Sequence, residues 1–240
     1  MTQDSAAPSG SDLRDLFEEY AQVYRFTTEA LPHAAELLPD VIERAGLGAH
    51  MELLDLACGT GALEVKMQGL GILGDVTGLD FSESMLTQAR LGCPEARFRR
   101  ADLTHPAATW GVTGPFDAVA CILGLNVVPD PRHVMQGAVE LLAPGGVFVE
   151  ATPHAGSDPR LVWARHLVMA AELGRSEAEE MAYFGPALVR IIKLSQMASQ
   201  VQHFPTQAEI LARHADAGLK VEYLGSTYAD QATLVVSRKE

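Results

Sequence analysis

Two carboxylates bracket a glycine-rich turn near the end of the first quarter of the chain. Asp55-Leu56-Ala57-Cys58-Gly59-Thr60-Gly61 carries its two glycines two positions apart, and Asp80 follows Gly61 after nineteen residues. Gly59 and Gly61 lack a Cβ, so the backbone there can pass close to a ligand. The amides of a helix starting just beyond would face that ligand. Asp80 closes an apolar run, Asp75-Val76-Thr77-Gly78-Leu79, and is placed to accept hydrogen bonds from a pair of ribose hydroxyls. Such a set performs nucleoside binding. Asp102 stands twenty-two residues past Asp80, positioned to meet an adenine amino group.

Positioning those groups requires alternating strands and helices. The pattern predicts strand 51–56, helix 61–70, strand 75–79, helix 82–91 and a short strand at 97–99 that ends at Asp102. Strand 116–122, helix 131–142 and strand 147–151 follow, the helix stopping at Pro144-Gly145-Gly146. Near-continuous apolar strands joined by helices imply a parallel sheet covered on both faces, an α/β Rossmann-like fold. Gly69 and Gly71 weaken the first helix, so 69–74 reads as loop. Residues 1–10 read as a disordered tail, and two helices precede the first strand, the second spanning about 34–44 and ending at Gly46. Residues 159–200 read as two or three helices. Strands at 220–224 and 233–237 lie close enough for a final antiparallel pair. The expected division is 1–50 as tail and lid helices, 51–152 as the cofactor-binding core, 153–206 as a helical cap, and 207–240 as the end of the sheet.

With 240 residues and 48% hydrophobic content, the chain suits a single domain with a sizeable core. Its net charge of −13 and pI near 5.0 oppose a nucleic-acid partner, which demands a basic face, and an anionic membrane surface. Cys58, Cys93 and Cys121 show no paired or metal-type spacing and read as free thiols in a reducing compartment. There is no basic-then-apolar leader and no run long enough to span a bilayer, so a cytoplasmic location is expected. No carboxylate or His/Cys cluster has ligand spacing, so no metal is expected.

Glu64 stands where a dinucleotide-binding turn needs its third small residue, and would set a carboxylate against the diphosphate. In order and spacing the chain instead resembles the class I S-adenosylmethionine-dependent methyltransferases of the small-molecule type. Asp55–Gly61 resembles that family's first motif, Val76–Ser82 its second, and Arg100-Ala101-Asp102-Leu103 its adenine-binding segment. Leu125–Asp130 and Leu142–Gly146 match as well. The resemblance implies S-adenosylmethionine as cofactor, held by Asp55, Ala57, Gly59, Gly61, Asp80, Phe81, Met85, Asp102, Leu103 and Cys121. Two departures stand out: Ala57 replaces the usual first glycine, and Asn126 lies where many relatives have histidine.

Methyl transfer is an in-line displacement for which the cofactor supplies the activation. The protein aligns the acceptor, excludes water and takes up a proton if the acceptor carries one, and alignment alone contributes about 7–11 kcal/mol. A base is optional, whereas a closed pocket is not. Ligands of such sheets sit beyond the carboxyl ends of the strands, the rim to which both helical additions connect. Tyr20, Tyr24, Asn126, His154 and Phe184 are the expected substrate contacts, with His33, Trp163, His166, Tyr183 and His203 as further candidates. His154 is the expected base because it directly follows the fifth strand. The expected reaction is methylation of oxygen or nitrogen, then carbon, on a small, partly apolar metabolite of natural-product biosynthesis. Two alternatives stay open: a cyclisation or decarboxylation on the same fold and cofactor, and an NAD-dependent oxidoreductase. A homodimer also stays open.

Overall fold

The computed structural model describes residues 15, 17, 18, 21, 24, 28, 30–185 and 204–240. The expected substrate contact Tyr20, the candidate His203 and the tail 1–10 lie outside the described residues, as does the end of the 159–200 helical stretch.

A π-helical turn at His33–Leu37 runs into helix α1 (Leu38–Ala45), which Gly46 ends in the left-handed conformation at φ 64°. Strands and helices then alternate. β1 (Glu52–Leu56), α2 (Ala62–Gly69), β2 (Asp75–Asp80), α3 (Glu83–Gly92) and β3 (Arg97–Arg100) come first. β4 (Phe116–Ile122), α4 (Pro131–Leu141), β5 (Leu142–Pro153) and α5 (Pro159–Glu172) follow. The chain ends with α6 (Gln207–Asp216), β6 (Leu219–Thr227) and β7 (Ala232–Lys239). The seven strands form one sheet in the order β3-β2-β1-β4-β5-β7-β6. The first five are parallel, while β7 runs antiparallel to both β5 and β6.

Period-two alternation along the strands divides the core between two faces. Leu53, Val76, Ala118, Ala120, Val147 and Val149 meet Leu37, Val41, Leu63 and Met67 on one side. Leu54, Leu56, Leu79, Val119 and Phe148 meet Trp110, Val134, Met135 and Ala138 on the other. Burial on both faces explains why these strands read as apolar runs.

β5 is longer than the 147–151 expected, because Leu142 already pairs with Phe116 before a bulge and Pro153 still pairs with Ala232. α6 was not anticipated. Its start is legible as a capping box: Thr206 Oγ1 accepts from Glu209 N at 3.3 Å, and Glu209 Oε2 accepts from Thr206 N at 2.7 Å. No helix among the described residues is long and apolar enough to cross a membrane.

Candidate functional site

The β1–α2 turn takes its shape from backbone angles that few residues tolerate. Ala57, Gly59 and Gly61 all have positive φ, at 56°, 55° and 75°. A Cβ on Gly61 would stand 3.0 Å from Ala89 Cβ and 3.1 Å from Phe98 Cζ, so this glycine is required by angle and by space. Ala57 holds the left-handed conformation with a Cβ, at a cost of about 1–2 kcal/mol. Its position in the family's usual first-glycine slot is therefore a strained one.

Asp80, at the carboxyl end of β2, holds this turn. Its Oδ2 accepts from Gly59 N at 2.9 Å, and its Oδ1 accepts from Ser82 N at 2.9 Å. Ser82 caps α3 by accepting from Met85 N at 3.1 Å. An ionised carboxylate has about four acceptor positions, so two remain on Asp80 for hydroxyls in the cleft.

A cleft opens at the carboxyl ends of the strands, where ligands of such sheets bind. Asp55, Ala57, Gly59, Asp80, Phe81 and Met85 line it together with Phe17, Tyr24, His33, Leu38, Leu123 and Val127. Glu18 ties the N-terminal helical residues to this rim by accepting from Glu83 N and Ser84 N, each at 3.0 Å. Phe17 lies edge-on to Tyr24 and Phe81, at centroid distances of 6.1 Å and 5.9 Å.

Three carboxyls crowd beneath the turn. Burial raises Asp55 well above the ordinary aspartate range, and Glu64 and Asp80 push it further. Burial takes Asp80 to about 6 and Glu64 to about 7. Asp55 Oδ1 and both oxygens of Glu64 are buried without a hydrogen-bond partner. Unsatisfied buried acceptors are costly, and a cationic group in the cleft would relieve Asp55, which lines it. An amino or sulfonium group on a nucleoside has the charge that this donor set lacks.

The remaining expected residues are placed as follows. Asp102 folds back on its own turn, accepting from Thr104 N at 3.0 Å, and neither it nor Leu103 is among the described lining residues. Cys121 is buried in β4 with its thiol pushed far upward by burial. Asn126 is buried beside the lining residue Val127 with its Oδ1 unpartnered. Phe184 packs edge-on to Trp163 and His166, at 6.1 Å and 4.8 Å, so it serves the core of the cap rather than the cleft. His154 does not reach the cleft either. Its Nδ1 meets Thr233 Oγ1 at 3.2 Å, just beyond the antiparallel pairing of Pro153 with Ala232.

His33 was a minor candidate by sequence, yet it lines the cleft, is 6% exposed and leaves Nδ1 without a partner. Its signal was obscured because no motif surrounds it. Of the other candidates, Tyr24 faces the cleft, with burial and then Asp80 lifting its hydroxyl to about 12. Trp163 stacks on His166 at 4.7 Å, and His166 pairs with buried Glu180 at 2.6 Å. No group of three or more His, Cys, Asp or Glu among the described residues is arranged to hold a metal ion.

A family model described as a methyltransferase domain matches residues 30–224. The chain belongs to this family. Membership of the methyltransferase-domain family supports S-adenosylmethionine as the cofactor. Among curated relatives, the ubiquinone biosynthesis O-methyltransferase of Aromatoleum aromaticum is 36% identical over 137 residues, covering 54% of this chain and 57% of that protein. The chain spans about half the length of the curated relatives it matches. Two solved structures share the methyltransferase fold across nearly their whole length. The putative methyltransferase crystallised with the Haloferax volcanii Trm112 activator has a TM-score of 0.66 at 18% identity, covering 94% of this chain and 96% of that one. Magnesium protoporphyrin IX methyltransferase from Synechocystis, with bound S-adenosylmethionine, has a TM-score of 0.60 at 15% identity, covering 99% and 100%.

Proposed function

We propose that the protein methylates an oxygen, or secondarily a nitrogen, of a small and partly apolar metabolite in natural-product biosynthesis. The observation that carries this reading is the mixed lining of the cleft, which combines the glycine turn, Asp80 and the unpartnered Asp55 Oδ1 with aromatic and aliphatic side chains and the buried imidazole of His33. The curated relatives' name, O-methyltransferase, supports oxygen first. The net charge of −13 supports a small molecule over a nucleic acid.

S-adenosylmethionine supplies a methyl carbon on a cationic sulfur, already activated toward displacement. Asp80 would hold the ribose hydroxyls with its two remaining acceptor positions, and Asp55 Oδ1 would receive the cofactor's ammonium. Phe81 and Met85 would flank the base, with Asp102 and Leu103 contributing from the β3 end. Tyr24 and His33 would bound the acceptor, and Leu38, Leu123 and Val127 would exclude water from it. The helical additions before β1 and after β5 would cap this site, and among the described residues they are joined where Arg165 Nε donates to Glu36 Oε1 at 2.7 Å.

Calorimetry with S-adenosylhomocysteine and with NADH, followed by labelled-methyl transfer to a panel of phenols and amines, tests the reading. Binding of S-adenosylhomocysteine and label in a metabolite are expected. Heat from NADH alone, or a product formed with no label, would replace the reading with an oxidoreductase or a non-methylating enzyme.

A further inference from the structure

We infer that His33 is the proton acceptor of this site and that the group it serves is a hydroxyl, so the protein is an O-methyltransferase. The inference rests on the cofactor reading above and deepens it.

Position comes first. His33 is buried yet lines the same cleft as Asp55, Ala57 and Leu123, and its Nδ1 is a bare acceptor. The Thr28 backbone hydrogen-bonds the ring and, with Nδ1 unpartnered among the described residues, Nε2 donates there and Nδ1 is left to accept. A buried imidazole nitrogen with no partner is costly unless something fills the position.

The surroundings hold the ring rigidly. His33 sits in a π-helical turn, a feature that recurs at functional sites. Two residues earlier, Leu31 N donates to His166 Nδ1 at 3.2 Å, and His166 is fixed in turn by Glu180. On the other side Tyr228 meets the His33 ring edge-on, with centroids 6.0 Å apart. Tyr228 is held at φ 57°, a strained angle for a bulky residue, by a hairpin tip that Glu36 and Asp40 tie down. Ala57 and Leu123, on the cleft wall, carry the same kind of strain at φ 56°. Strain concentrated around one imidazole points to a site whose geometry matters.

The chemistry then selects oxygen. The titratable groups that line the same cleft are Tyr24, Asp55, Cys58 and Asp80, Tyr228 meets the ring edge-on, and Glu36 lies on the same turn. Burial lowers the His33 ring to about 4, so it is neutral at physiological pH and only a weak base. A weak base suffices for a hydroxyl, because oxygen becomes strongly acidic as it gains the methyl group. The acceptor oxygen would form its bond to the methyl carbon as the carbon–sulfur bond breaks with its electron pair left on sulfur as the neutral thioether. The O–H bond breaks with its pair staying on oxygen, and the proton passes to Nδ1, from which it leaves to water with the product. A methylated amine, by contrast, keeps its proton as an ammonium and has no use for so weak an acceptor.

The decisive experiment is histidine-selective ¹⁵N NMR on the whole protein, free, with S-adenosylhomocysteine and with S-adenosylmethionine, using His33→Gln to assign the signal. The expected result is an Nε2–H tautomer whose titration midpoint is lower by about one pH unit with the cationic ligand than with the neutral one. A His33 signal indifferent to the ligand's charge would overturn the inference while leaving cofactor binding intact. Absence of calorimetric binding by either ligand would overturn the cofactor reading and the inference together. In the labelled-methyl assay with hydroxyl acceptors, H33Q is expected to lose about 100-fold in kcat with its cofactor KM unchanged. That loss should shrink as pH approaches the acceptor's own ionisation, a rescue that a merely structural role would not produce. Wild-type turnover by H33Q at pH 7 would also overturn the inference.

Discussion

Glu64 and Glu150 are both 0% exposed, and the protein treats them in opposite ways. Glu150, on β5, is surrounded by donors. Its Oε2 accepts from His214 Nε2 at 3.0 Å and from Arg213 Nε at 3.2 Å, while Oε1 meets Arg213 Nη2 and Thr152 Oγ1. His214 Nδ1 is met in turn by Ser237 Oγ at 2.8 Å, so the network joins β5, α6 and β7. Burial and then Arg213 lower His214 to about 3, keeping it neutral, so Ser237 donates to Nδ1 and Nε2 donates to the carboxylate. The connectivity is that of a serine–histidine–acid relay, yet every member is buried and none lines the cleft described above. It is a structural clasp. Glu64, under the nucleotide turn, has nothing for either oxygen and shares its neighbourhood with Asp55 and Asp80. Satisfied burial marks the part of the sheet that holds itself together. Unsatisfied burial marks the part that awaits a ligand.

The comparison breaks most visibly at Glu150. Glu150→Ala strands a buried guanidinium and is expected to destabilise by about 3–5 kcal/mol in urea unfolding, with no change in S-adenosylhomocysteine affinity of the folded fraction. Next comes Asp80→Ala, expected to weaken S-adenosylhomocysteine by about 100-fold, about 2.7 kcal/mol by calorimetry, while unfolding changes less than in the Glu150 variant. If the two variants exchanged these phenotypes, the division between clasp and site would be wrong.

Glu64→Gln sharpens the contrast through pH. The Glu64 carboxyl is raised from 4.5 to about 7 by burial, so the folded state holds its proton more tightly than the unfolded state does. The resulting stability is fully present below about pH 4.5 and is lost as pH rises through 7. The wild type should therefore lose about 1–3 kcal/mol relative to Glu64→Gln between pH 5 and pH 8.5, measured by melting temperature. Parallel melting curves for the two proteins across that range would refute it. His154→Ala is the smallest: removal of its contact with Thr233 should cost about 1 kcal/mol of stability and leave cofactor binding unchanged.

The fold was largely legible because its signals are local. The turn from Asp55 to Gly61 needs glycine at φ values that few other residues adopt, the strands need apolar side chains on two faces, and Gly46 and Gly69 end helices where they stand. Helix α6 escaped despite its capping box, because no long apolar stripe accompanies it. Its own residues Arg213 and His214 face inward to Glu150, a polar burial that periodicity reads as solvent.

Residue type and spacing by themselves determined a Rossmann-like sheet, its cofactor turn and the acid at the end of β2, since each follows from backbone conformation within a few residues. Only the tertiary structure decided which histidine faces the cleft. His154 and His33 lie far apart in the chain, and their roles depend on long-range contacts: β7 draws one imidazole aside, while Tyr228 and the His166–Glu180 pair bracket the other. Sequence spacing carries no record of such contacts, because they form only when the hairpin and the cap close over the same end of the sheet.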